Sequence, residues 1–145
     1  MGQSVTLKEK MKMETKFNFN SQVCSNIEQS RRLLALGLKK ETADMVYRSY
    51  GYIIDEFGNK ERRFKQPTLV VDDWESKYDI PAWSLHRLIE MMPNCIPNQG
   101  WLSLGHQGLH YSKGYGVADD GLYESIIRMY EWLIKEGYFN KEYLV

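Results

Sequence analysis

Cys95, His106 and His110 are the residues whose types and spacing come nearest to chemistry. On a helix, two histidines four apart present both imidazoles to one metal ion, and a thiolate from Cys95 could join them. Gly105 and Gly108 oppose a helix at this point. On a strand, residues four apart share a face but stand about 13 Å apart, too far for one ion without a bend. The expectation is therefore no metal, with both histidines in turns. As a nucleophile Cys95 would need a base within hydrogen-bond reach, drawn from His86, His106 or His110, and a group to orient it. It sits between Pro93 and Pro97 rather than at a helix N-terminus, where the dipole would favour the thiolate. Cys24 has no histidine near it in sequence. A small Cys/His hydrolase or metal-dependent enzyme thus stands as the alternative reading, and it requires these side chains to converge.

The acidic pairs Asp72-Asp73 and Asp119-Asp120 have the composition of a divalent-cation site. Their contexts favour plainer roles, the first ending a strand and the second leading into a helix N-terminus. Neither G-x-x-x-x-G-K-[ST] nor G-x-G-x-x-G occurs, so no nucleotide cofactor is expected. The run Lys60-Glu61-Arg62-Arg63-Phe64-Lys65 has the basic-plus-aromatic texture of a strand that touches a nucleic-acid backbone, through Arg62, Arg63 and Lys65. A three-residue loop of Gly58, Asn59 and Lys60 would oppose Asp55 to Arg63, Glu56 to Arg62 and Ile54 to Phe64, neutralising both arginines and leaving a solvated edge. Nucleic acid is on that register not the favoured partner. Ten tyrosines and four tryptophans are an aromatic excess without a catalytic set. Trp132, Trp101, Tyr111 and Tyr115 are the aromatic binding candidates, and another protein is the expected partner.

These residues need elements to hold them. Ser25-Asn26-Ile27-Glu28 has the reciprocal capping-box form and opens a helix through Leu36, ended by Gly37 with Leu38 folding back. From Met45 to Val71 the texture is β-branched and aromatic, as in Tyr52-Ile53-Ile54 and Leu69-Val70-Val71. Ser84 caps a short helix, Leu85 to Met92, stopped by Pro93. Residues 94 to 118 alternate glycines with apolar residues, as short strands joined by tight turns do. Leu122 to Glu136 is an amphipathic helix ended by Gly137, with an apolar arc of roughly 160°. Trp132 breaks its pattern by projecting from the polar arc. Either a neighbouring loop or Tyr138-Phe139 covers the indole, or it is an exposed anchor.

A chain of 145 residues suits one domain, and equal numbers of basic and acidic residues, 19 of each, argue against a protein dominated by phosphate contacts. The balance is uneven: up to Gln66 there are 13 Lys/Arg against 8 Asp/Glu, and beyond it 6 against 11. Two cysteines without a dense spacing fit a reducing compartment, and no run of about 18 apolar residues is present to span a membrane. Residues 1 to 20 read as a polar flexible leader and 21 to 145 as the domain.

Glu28-Gln29-Ser30-Arg31-Arg32-Leu33-Leu34-Ala35-Leu36-Gly37-Leu38, Thr42-Ala43-Asp44-Met45, Pro81-Ala82-Trp83-Ser84-Leu85 with Met92-Pro93, and Glu131-Trp132-Leu133-Ile134-Lys135-Glu136-Gly137-Tyr138 occur in that order. Together they resemble short uncharacterised proteins encoded by prophages and other mobile elements of gut bacteria. The resemblance implies a bacterial cytoplasmic setting and carries no activity, cofactor or site residues. The fold expected is α+β, with three helices packed on a small, mostly antiparallel sheet. The function expected is that of a non-catalytic binding or interaction module, an accessory protein of such an element.

Overall fold

A computed structural model describes residues 21–71, 76–105, 108–118 and 121–145. The expected leader, both acidic pairs and His106 lie outside the described residues. Among the described residues three α-helices are joined by short antiparallel strands, and the protein is α+β.

Helix α1, Ile27–Ala35, starts one residue later than Ser25 would set it. Asn26 is the cap: its side chain accepts from the Gln29 N–H at 2.8 Å, and the Gln29 side chain accepts from the Asn26 N–H at 3.0 Å. Ser25 is turned inward instead. Its hydroxyl accepts from the Trp83 N–H at 3.0 Å and lies 2.8 Å from the Ser30 hydroxyl, tying the helix start to the Trp83 backbone. At the other end the Leu38 N–H reaches the Leu33 carbonyl and the Gly37 N–H that of Leu34, the paired bonds of a Schellman cap. Helix α2, Leu85–Met91, is capped by Ser84, whose hydroxyl accepts from the Arg87 N–H at 3.1 Å while its own proton goes to the Asp44 carboxylate.

Helix α3, Leu122–Lys135, is the centre of the core. Ile126, Ile127, Met129, Tyr130 and Leu133 are buried against Leu33 of α1, Leu88 and Met91 of α2, and Leu109 and Tyr111 of the strands. Trp83 is also fully buried, its indole N–H donating to the Thr42 hydroxyl at 2.9 Å so that the buried donor is satisfied. Arg32 of α1 bridges to Glu124 of α3 at 2.6 Å, joining the two helices at the rim.

The described strands divide into three separate antiparallel sheets rather than one. Strand β1, Met45–Tyr47, lies between β4, Thr68–Leu69, and β5, Ile80–Ala82. Strands β6, Cys95–Ile96, β7, Gly100–Leu104, β8, Gly108–Tyr111, and β9, Gly116–Ala118, form a meander whose inner face lies under α3. Strands β2, Ser49–Ile54, and β3, Lys60–Phe64, pair with each other and with no other described strand.

This last hairpin corrects the expected register. Ile54 pairs with Lys60, Ile53 with Glu61, Tyr52 with Arg62 and Gly51 with Arg63. The loop does contain three residues, but they are Glu56, Phe57 and Gly58, closed by the Asp55 N–H on the Asn59 carbonyl at 2.9 Å. In a loop of this type the last position is left-handed, and Gly58, with φ +83°, occupies it. A loop that begins at Gly58 would put the glycine away from the position that needs it. Asp55 fixes the tip further by accepting from the Phe57 and Asn59 N–H groups, both at 2.8 Å.

Candidate binding surface

The meander separates the candidate nucleophile Cys95 from His110. Cys95 is exposed and pairs with Trp101, whereas His110 pairs with Ser103 one strand further on. Two strand spacings and two residues separate them, roughly 12 Å between Cα atoms. His110 borders an open trough of about 530 Å³ with Ser103, Leu104 and Val117, and its described lining residues include no carboxylate or thiol. His86 lies on α2, its Nε2 3.2 Å from the Glu90 carboxylate. No group of three or more His, Cys, Asp or Glu side chains suited to a metal occurs among the described residues. Cys24 is buried with its thiol 3.6 Å from the Tyr47 hydroxyl, and burial pushes that thiol's pKa up, away from a reactive thiolate.

Of the four aromatic candidates, three converge. The Trp132 indole stacks on Tyr115 with centroids 4.6 Å apart and planes 8° apart, and lies 6.2 Å from the Tyr111 ring. Tyr138 approaches it at 5.4 Å. The cause of that last contact is local. Helix α3 ends, like α1, in a Schellman cap, with the Tyr138 N–H on the Leu133 carbonyl and the Gly137 N–H on that of Ile134, and this turn folds the residue after the glycine back over the last helical turn. Both covers anticipated for the indole are thus present, the 112–115 turn and the tail. Tyr111 is fully buried, and its hydroxyl donates to the Pro93 carbonyl at 2.8 Å. Trp101 stands apart, 66% exposed on the outer face with Ser103 and His110. Packing therefore accounts for Trp132 and Tyr111, and of this set it leaves Trp101 most open to solvent.

Among the described residues, exposed aromatic and apolar side chains concentrate on the β2–β3 hairpin, which pairs with no other described strand and forms an arm. Phe57 at its tip is 81% exposed, Tyr50 61% and Tyr52 49%, and Ile53 and Ile54 are exposed beside them. Its root is fixed by Asp79, whose buried carboxylate accepts from the Ser49 N–H at 3.0 Å and from Arg48 at 2.9 Å. The Lys65 N–H closes the base on the Arg48 carbonyl at 2.9 Å.

The corrected register also changes the surroundings of the basic candidates. Asp55 and Glu56 do not face Arg62 and Arg63; Asp55 is committed to the tip, where the Asn59 N–H foremost, with that residue's side chain and the Phe57 and Gly58 N–H groups, holds its carboxyl below the usual pKa. Arg62 pairs across the arm with Tyr52 and lies 5.6 Å from its ring centroid. On its other side its guanidinium sits 3.3 Å from the ring centroid of Tyr78, which comes from the segment leading into β5. Lys60 lies 4.9 Å from the same Tyr52 ring. Arg63, opposite Gly51, points to the other face, and exposed Lys65 follows the strand. Lys60, Tyr52 and Tyr78 were not singled out from sequence. The first two were hidden by the wrong register, and no local pattern links Tyr78 to them.

No protein-family model matches the chain, and no relative is found among curated proteins or solved structures. Among the described residues no helix is long and apolar enough to cross a membrane.

Proposed function

We propose that the protein is a non-catalytic binding module that works through the β2–β3 arm, as an accessory protein of a bacterial prophage or mobile element acting in the cytoplasm. The observation that carries this reading is the arm itself. A two-stranded hairpin is marginal on its own, and this one exposes Tyr50, Tyr52, Ile54 and Phe57 to solvent rather than burying them on the body. Apolar groups left out in a cluster are the mark of a contact surface. The separation of Cys95 from His110 leaves that pair unable to act together as nucleophile and base. The cytoplasmic setting is supported by two cysteines that remain thiols and by the resemblance in sequence.

The test is capture from a bacterial lysate with the wild-type chain and with a Phe57→Ser, Ile54→Thr variant, with protein and nucleic acid both recovered. The expected result is material retained by the wild type and lost by a variant whose circular dichroism is unchanged. Equal recovery by both, or none above background across bait concentrations, rejects the reading.

A further inference from the structure

The arm carries a ladder in which cations and rings alternate. Tyr78, Arg62, Tyr52 and Lys60 follow one another at 3.3, 5.6 and 4.9 Å, measured from each cationic group to the ring centroid. At 3.3 Å the Arg62 guanidinium lies against the face of Tyr78, so its long side chain is ordered before any ligand arrives. Tyr52 and Tyr78 nonetheless remain 49% and 43% exposed. Lys77 adds a further cation 5.2 Å from the Tyr78 ring.

Among the described residues, the carboxylates of the arm and its root are placed away from this ladder. Glu61 pairs with Ile53 on the opposite face of the ribbon. Asp55 is spent on the tip turn, Glu56 is in the loop beside it, and Asp79 is buried at the root with Arg48. One face of the arm therefore offers planar stacking surfaces and positive charge together.

We infer that this face binds single-stranded nucleic acid, with bases stacking on Tyr52, Tyr78 and the Arg62 plane and phosphates drawn to Lys60 and Arg62. The ligand class rests on the arm being the binding surface. Stacking platforms interleaved with cations fit a strand whose bases are free, since every base has a π-face and the backbone is anionic. An acidic peptide would use the cations and leave the rings idle. A duplex keeps its base faces inside the stack, where the tyrosines cannot reach them.

Fluorescence anisotropy of a labelled oligothymidylate, with a duplex of the same length as the comparison, tests this on the full chain at low salt. The single strand should bind and the duplex should bind more weakly, with a linear loss of log affinity against log salt. Tyr52→Ile, which keeps strand propensity but removes the ring, should weaken binding about 5- to 150-fold, and Tyr52→Phe should restore it. Arg62→Gln should weaken binding and flatten the salt slope by about 0.7, while Lys141→Gln, far from the arm in sequence and at the C-terminal end, should do neither. Absence of single-strand binding, preference for the duplex, or binding untouched by Tyr52→Ile and Arg62→Gln overturns the inference. If lysate capture stays dependent on the arm while the oligonucleotide fails, the ligand class falls and the binding surface stands. If both fail, the surface falls too.

Discussion

The Tyr115 ring lies parallel to the Trp132 indole at 4.6 Å, holding a turn of the meander onto the polar arc of the last helix. With Tyr138 on another side, the indole serves as a clasp between helix, sheet and tail. Trp132→Ala should lower unfolding free energy by up to about 3 kcal/mol, the low end for losing a buried aromatic because the indole is only half-buried. Urea denaturation of Trp132→Ala, Tyr115→Ala and the double variant should give a coupling of about 0.5–1.5 kcal/mol. Additive effects would show that the stack contributes nothing.

At the root of the arm, Asp79 is a buried carboxylate with a charged partner and a backbone donor. Asp79→Ala leaves Arg48 and the Ser49 N–H without it and should cost about 3 kcal/mol or more, with faster hydrogen exchange across residues 49–64. The Ser49 hydroxyl beside it is buried with no hydrogen-bond partner among the described residues. Ser49→Ala should be neutral or stabilising by up to about 1 kcal/mol. A clear loss of stability from Ser49→Ala would mean that the hydroxyl is satisfied.

Alkaline pH should unfold the protein through its buried phenols. Burial foremost pushes the pKa of Tyr123 up to about 12 from an ordinary value of 10, and its hydroxyl donates to the Gln22 carbonyl at 3.3 Å. Because the folded state favours the neutral phenol, its contribution is complete below pH 10 and is lost as pH rises from there through about 12. Tyr111 and Tyr130 are raised by burial as well and act in the same direction. Denaturant midpoints should hold up to pH 10 and then fall, and Tyr123→Phe should make the fall shallower. An identical slope in that variant would remove Tyr123 from the account.

The two thiols should separate cleanly under a thiol-specific reagent. Cys95 is exposed and Cys24 is buried with a raised pKa. One equivalent should react at once and the second only on the timescale of opening or in denaturant. Two fast equivalents in the native protein would contradict the burial of Cys24.

Much of the architecture was legible because the signals are local. Ser84 before Leu85, Pro93 after Met92, and Gly37 and Gly137 after apolar runs each mark a boundary through backbone chemistry that needs no tertiary information. Ser25 misled by one residue because its hydroxyl serves Trp83 and Ser30, far away or across the helix start, rather than its own helix. The division into three sheets was not legible, since short strands carry no record of which neighbours they join. The arm's register failed on a rule that was available, that the left-handed residue comes last in such a loop. That single error reversed the apparent electrostatics of Arg62, placing it against an acid when it lies between two tyrosines. Trp132 could be recognised as out of place in its helix, but Tyr115 and Tyr138 could be assigned as its covers only in three dimensions.

The hydrogen bond from the Lys65 N–H to the Arg48 carbonyl means that the chain leaves the body and returns to it at a single point. The arm is in that sense a cassette. Its length and side chains can change by insertion, deletion or recombination without repacking the core around α3, because no core residue lies between the two ends. A scaffold of this kind separates the part that must fold from the part that meets other molecules, and it lets the second diversify while the first stays fixed.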